Sequence, residues 1–541
     1  MMSRPNTHTV PNSPRDPHAE RVLAHRGHDT VQTPQHVAVI GGGIAGIAAA
    51  TALAERSVDV TLFEATPQLG GRVSSWPVEP DRNMSRGFHA FFRQYYNLRA
   101  LLRRTDPQLH RLVPVADYPL RTAAGLTDSF ASIPRTPPLN LAAFVLQSPT
   151  FPLTGLAKVD LASAFELIDL EFPTSLSRYD GESAADFLNR LRFPDGARHL
   201  ALEVFARSFF AHPKDFAARE LVTMFHTYFT GSAEGLLFDV PEDDFNTSLW
   251  DPLAEYLHTL GVDIRRSQPV QRINHEDGCW QVTTAESTSA FDAVVLAADP
   301  RTSRNLIADL DGHGAALTEL QDRVQRRRNA PPFAILRLWL DDLVRSDRAP
   351  FLGTSGYQLL DNISVLERFE ASAHTWSQQH GGSVVELHAY AVEAPADPTS
   401  DDGQQIRAQL LADMYEVYPE TRDLDIVAEE YLLQDDCGLA DMAPLHEQPT
   451  VTTGLPNLVL AGDWLRCDVP VALMERAATT GFLAANELLA GWHVTGHDLE
   501  SPPRLGLLRR SAAGRMLRKA FLGHATAVPA ESNPSSTVRS Q

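Results

Sequence analysis

The chain has 541 residues, 43% of them hydrophobic and 21% charged, as expected of a globular protein with a large core and about three or four domains' worth of length. Its net charge of −21 speaks against a nucleic-acid surface, which needs clustered Lys and Arg. The three cysteines, Cys279, Cys437 and Cys467, are widely spaced without a CxxC pair, which points to a reducing, cytoplasmic compartment and to no metal site.

In chain order, residues 1–35 carry Pro5, Pro11, Pro14, Pro17 and Pro34 among histidines and arginines, and are expected to form a disordered tail rather than a signal peptide. A short apolar strand then begins at His36 and runs into Gly41-Gly42-Gly43-Ile44-Ala45-Gly46 and an Ala-rich helix. Gly41, Gly43 and Gly46 allow a tight turn and close approach of a pyrophosphate to the helix start at Ala45. Glu64 closes the next apolar strand, eighteen residues past Gly46, where an acid takes ribose hydroxyls. The second pair, Gly70-Gly71, suits a further approach to the same diphosphate. The fork of Arg72 adds bidentate hydrogen bonds there and tilts the choice from NAD toward FAD.

Helical patterning follows over 91–104, with Leu98, Leu101 and Leu102 on one face. The uncharged stretch 136–157 is broken by Pro137, Pro138, Pro149 and Pro152, so it cannot be a continuous spanning helix. Residues 160–230 read as several helices, including 200–210 and 217–229, dense in Phe and Leu. After Asp251 the pattern changes to strands at 263–265, 269–273, 280–283 and 293–297, with Glu276-Asp277-Gly278 as a turn. Further strands are expected at 334–340 and 384–392, a helix at 404–417, and an apolar strand ending at Ala461-Gly462-Asp463 before the final helix. The fold class is α/β. A Rossmann-type FAD-binding domain is discontinuous over 36–90, 250–305 and 450–492. A mixed helical and β substrate domain covers 91–249 and 306–449, and 493–541 is a C-terminal extension.

Together these blocks resemble the carotene desaturase branch of the FAD-dependent amine-oxidase-like flavoproteins. The carriers are Leu460-Ala461-Gly462-Asp463 with Met474-Glu475, and the run from Gly87 through His89, Phe91-Phe92 and Tyr95 to Asn97. Within the branch, the segments 93–104, 117–120, 133–138 and 207–211 are most similar to bacterial carotenoid φ-ring synthases of the isorenieratene synthase type (β-carotene desaturase/methyltransferase). The resemblance implies FAD as cofactor, a β-carotene-like substrate and an acceptor it does not name. The reaction implied is desaturation of the β-ionone ring with a 1,2-methyl shift, giving an aromatic φ-type ring.

It also implies roles residue by residue. Gly462 and Asp463 would meet the ribityl or diphosphate region, Met474 the flavin from the start of the final helix, and Val270 the adenine end. His89, the titratable group expected beside the isoalloxazine, and Glu475 are the candidate catalytic groups; a packed histidine and a helix-capping acid are the plainer readings. Arg93, Tyr95 and Tyr96 are candidates for the ring-side cavity. Phe205, Phe209, Phe210, Phe216, Phe225 and Phe229 are candidates for an apolar tunnel, or simply for core. Two departures stand out: Arg476 replaces a glycine common in the superfamily, and no Rieske-type Cys/His pairs are present. Acyclic carotene desaturase, flavin amine oxidase and a flavin-free escort protein remain the alternatives. Peripheral contact with the inner face of the membrane is expected through 136–157 and the basic residues Arg504, Arg509, Arg510, Arg515, Arg518 and Lys519.

Overall fold

A computed structural model describes residues 16–129, 131, 133–147, 158–192, 209–312, 314–510 and 512–522. Five parallel strands form one sheet, in the order Asp263–Arg265, Asp59–Phe63, His36–Ile40, Ala293–Leu296, Leu458–Leu460. Residues 37–40 and 293–296 are buried throughout. Both faces of this sheet are covered, so its strands read as continuous apolar runs rather than as alternation.

All eleven residues of the Ile44–Ala54 helix are buried. It packs on the Leu473–Gly491 helix so closely that a Cβ on Gly481 would stand 2.2 Å from the Ala45 carbonyl oxygen. The chain leaves the 36–40 strand toward one side of the sheet and returns at 293–296 on the other. That reversal opens a crevice beyond the strand's carboxyl end, at Gly41.

The second large sheet has seven strands, in the order Ile426–Gln434, Phe333–Leu340, Val384–Ala389, Asn362–Val365, Phe351–Ser355, Leu120–Thr122, Thr127–Asp128. Its pairs are antiparallel except 351–355 with 120–122. On one face Val385, Leu387 and Ala389 join Ile406, Leu410 and Met414 of the Asp401–Val417 helix in a shared core. Side chains alternate along a strand, so Glu386 and His388 are turned to the other face. Glu386 stands in register with Arg337 there, and His388 with Asn362.

Several expectations change. Residues 16–35 are not a free tail. Glu20–Val22 pairs antiparallel with Leu499–Ser501, and the Asp16 carboxylate accepts from the Ala233 N–H. These anchors are single polar and backbone bonds, which leave no apolar period in the sequence. The helix expected over 91–104 is shorter, Tyr96–Leu102, because Phe91–Phe92 instead pairs with the Phe238–Pro241 strand. The 217–229 segment divides into an α-helix, Ala218–Phe225, and a π-helical turn, His226–Thr230. Residues 200–208 of the expected 200–210 helix, with Phe205, lie outside the described residues, as do 148–157. The C-terminal extension is tied to the body: Arg509 pairs with Asp169 and Glu171, and Arg518 with Asp169.

Candidate active site

One cavity of about 810 Å³ runs from the crevice at Gly41 to the inner face of the seven-stranded sheet. Its first end is a cradle of backbone. Gly41 turns at φ +109°, and a Cβ there would meet the Ala297 carbonyl oxygen at 2.6 Å. Gly43 and Gly71 face each other, and a Cβ on Gly43 would find only the Gly71 Cα, at 3.9 Å. The 44–54 helix begins in this gap with no side-chain cap and no acid in its first turn, which leaves its positive end to the cavity. The 473–491 helix also starts at the wall without a side-chain cap, at Ala472.

Glu64 lines the cavity near this end and accepts from the Gly42 N–H at 2.7 Å and from the Thr66 N–H and Oγ1 at 2.8 Å each. Arg72 and Asp463, from opposite ends of the sequence, meet as an ion pair of 2.5 Å in the wall. One terminal nitrogen of Arg72 is engaged by Asp463, and the residue lines the cavity. Ala45, Val270, Gly462 and Met474 also line the space. Gly46 does not: a Cβ there would lie 1.8 Å from the Gly41 carbonyl oxygen, so its role is close packing of the helix under the turn. An open glycine gap facing the uncapped start of the 44–54 helix is the donor set a dinucleotide diphosphate requires. The residues present fit such a group.

The other end of the cavity is aromatic. Phe88 stacks on Phe351 with centroids 4.3 Å apart, and Phe92, Phe238 and Tyr118 pack edge-on or tilted around them. The Tyr95 and Tyr228 hydroxyls meet at 2.7 Å in the same wall. Among the described residues of the expected tunnel, only Phe210 lines this space; Phe209, Phe216, Phe225 and Phe229 are buried in the helical core. Arg93 turns away to Asp239, and Tyr96 to Glu234. What sequence reading missed is the contribution of Tyr118, Phe238 and Phe351. Each is a lone aromatic in its own segment, without a local pattern to mark it.

His89 lines the cavity, with its Nδ1 bonded to the Gly87 carbonyl at 2.8 Å. Burial lowers its pKa to about 4, with the charges of His388, Arg86 and Arg72 adding to the effect, so it is neutral and weakly basic. Glu475 is not at the cavity. Its carboxylate accepts the N–H groups of Asn97 and Leu98, at 2.8 and 2.9 Å, and so caps the 96–102 helix from outside. Burial raises its pKa to about 8 against the pull of those bonds. The catalytic reading of Glu475 is therefore withdrawn, because a capping acid with both oxygens engaged cannot reach the substrate space. Arg476, the departure from the superfamily pattern, pairs with Glu220 at 2.7 Å and donates to the Val471 and Asp463 carbonyls, bracing the loop that carries Asp463.

A family model described as flavin containing amine oxidoreductase matches residues 44–489. The chain belongs to that family. Its cofactor is FAD, and a model described as pyridine nucleotide-disulphide oxidoreductase also matches residues 3–79. A protein named carotenoid phi-ring synthase from Streptomyces griseus is 50% identical over 485 residues, covering 88% of this chain and 92% of that protein. The zeta-carotene desaturase of Synechocystis is 24% identical, covering 84% of this chain and 97% of that protein. In fold the chain is similar to putrescine oxidase, with TM-score 0.61 at 14% identity over 85% of this chain and 99% of that one. No helix among the described residues is long and apolar enough to cross a membrane, and no cluster among them could hold a metal ion.

Proposed function

We propose that the protein is an FAD-dependent oxidoreductase that desaturates the β-ionone ring of a carotenoid with a 1,2-methyl shift, giving an aromatic φ-type ring. The observation that carries this reading is the 50% identity, across nearly the whole of both chains, to a protein named carotenoid phi-ring synthase. When bound, FAD supplies the two-electron acceptor for each desaturation. The five-stranded sheet and its two helices are assigned to holding it, through Gly41, Gly43, Ala45, Glu64, Gly71, Val270, Gly462 and Met474, with the Arg72–Asp463 pair closing the wall. The seven-stranded sheet and the aromatic end are assigned to the ring.

The quaternary ring carbon blocks aromatisation until one of its methyl groups moves to the neighbouring carbon, so a ring cation must survive long enough for the shift. Phe88, Phe92, Tyr118, Phe238 and Phe351 are suited to this, because their ring faces favour a cation and exclude water that would trap it. Reaching a substrate that lives in lipid is assigned to the exposed Leu139 and Leu146 of the 139–147 helix and Met516 of the 512–522 helix. The helices there share a support: Asn140 donates to the Phe229 carbonyl and Arg510 to that of Thr230.

Co-expression with a β-carotene-producing pathway tests the reading. The expected pigment is lighter by about four mass units per reacted ring with all its carbons kept, because the methyl group moves rather than leaves. A longer acyclic polyene with a red-shifted spectrum would instead favour the desaturase alternative.

A further inference from the structure

Each ring desaturation must dispose of a proton as well as a hydride, and His89, whose basicity burial lowers, is poorly suited to take one. On the inner face of the seven-stranded sheet another arrangement meets the cavity. Glu386, His388 and Tyr390 follow one another at alternate positions of the 384–389 strand and its exit, so all three point the same way. Tyr390 and His388 line the cavity; Glu386 is fully buried behind them.

Resting on the ring-desaturation reading, we propose that Tyr390 is the catalytic proton acceptor, relaying to His388, and that Glu386 positions the imidazole and balances its charge. The hydrogen bonds set the direction. Asn362 Nδ2 donates to the Tyr390 hydroxyl oxygen at 3.0 Å, which turns the hydroxyl proton toward His388 Nδ1 at 2.8 Å. His388 Nε2 lies 2.8 Å from Glu386 Oε1 and 3.3 Å from the Phe88 backbone nitrogen; the shorter contact, to an ionised carboxylate, makes Nε2 the donor and leaves Nδ1 to accept. Arg337 holds Glu386 ionised with bonds of 2.7 and 2.9 Å, and the carboxyl pKa falls to about 2 despite burial.

Gly87 explains itself in the same way. Its φ is +88°, and a Cβ there would stand 2.5 Å from His388 Cε1. The glycine of the 87–97 run therefore leaves room for this imidazole.

In the proposed step, a ring C–H electron pair left behind by the departing proton forms the new C=C bond of the cation. The proton passes to the Tyr390 oxygen as the hydroxyl proton moves to His388 Nδ1. The hydride removed earlier has gone to bound FAD, the oxidant. The result is an imidazolium beside the Glu386 carboxylate and an unchanged phenol. Behind the relay a gap of about 20 Å³, lined by Glu386, Glu370, Asp243 and Asp244, has room for one water through which the proton can leave.

The test uses FAD-loaded enzyme and its Tyr390→Phe and Glu386→Gln variants. Tyr390→Phe is expected to lower kcat on β-carotene by about 100-fold or more, with KM and flavin content unchanged, since acid–base groups are worth roughly 10²–10⁴-fold. Glu386→Gln keeps the side chain's shape but removes the charge that balances the imidazolium, so kcat is expected to fall by about 10-fold or more with KM and flavin content unchanged; a purely structural glutamate would leave kcat unmoved.

A readout independent of turnover is ¹⁵N NMR of the histidines, in which His388 should carry its proton on Nε2 and its Nδ1 resonance should shift in Tyr390→Phe. A proton on Nδ1, a Tyr390→Phe rate within about 3-fold of wild type, or an unchanged kcat in Glu386→Gln would each overturn the relay. A wild-type enzyme that forms no ring-desaturated product overturns the functional reading and the relay with it; that outcome is distinct, because a relay that fails alone leaves the wild type active.

Discussion

At the scale of single residues, the account depends on side chains that are missing as much as on those present. A valine at Gly43 would fill the gap shared with Gly71, where the diphosphate is assigned, so Gly43→Val should purify colourless; a yellow protein with stoichiometric flavin would refute the placement. His226 offers a second test. It is fully buried, its Nε2 bonds the Pro503 carbonyl, and burial lowers its pKa from 6.5 to about 4. The folded state then binds fewer protons than the unfolded one between those values. Stability is therefore full above pH 6.5 and is lost as pH falls toward 4, by up to about 3 kcal/mol from this group. Urea midpoints at pH 7.5 and 4.5 should differ less in His226→Gln than in the wild type. The glycines and Glu64 were legible in sequence because a turn that approaches a ligand tolerates so few residue types. Tyr390 and His388 were not, because polar residues alternating in a strand look solvent-facing until a second layer is seen to cover them.

At the scale of elements, the corrected role of Glu475 is decisive. Its carboxylate satisfies two buried N–H groups at the start of the 96–102 helix. Glu475→Ala should cost about 1–3 kcal/mol of stability, read as a lower melting temperature, while the folded enzyme keeps its flavin. Full loss of turnover with an unchanged melting temperature would restore the catalytic reading. A chain beginning at residue 25 would lose both the 20–22 strand and the Asp16 bond to Ala233, exposing the edge of the 499–501 strand. Its melting temperature should fall, which a detached tail would not cause. The parallel strands were readable as continuous apolar runs. The short strands at 20–22 and 91–92 were not, since each is held by pairing with distant chain and carries no pattern of its own.

At the scale of the whole molecule, the strand order of the five-stranded sheet interleaves segments from 36 to 460, and a single cavity joins its crevice to the inner face of the second sheet. A net charge of −21 opposes an anionic membrane, so the proposed lipid contact is assigned to the exposed Leu139, Leu146 and Met516. The wild type should float with liposomes, and Leu139→Asp with Leu146→Asp should reduce that without loss of flavin. Protein that stays at the bottom in both cases would place substrate transfer with a partner enzyme. The central claim is tested most directly by the structure of the pigment made from β-carotene, read by proton and carbon NMR. The account requires an aromatic end ring that keeps every methyl carbon, with the former geminal pair now on neighbouring ring carbons. An intact β-ionone ring, with its geminal methyl groups still on one carbon, would contradict it.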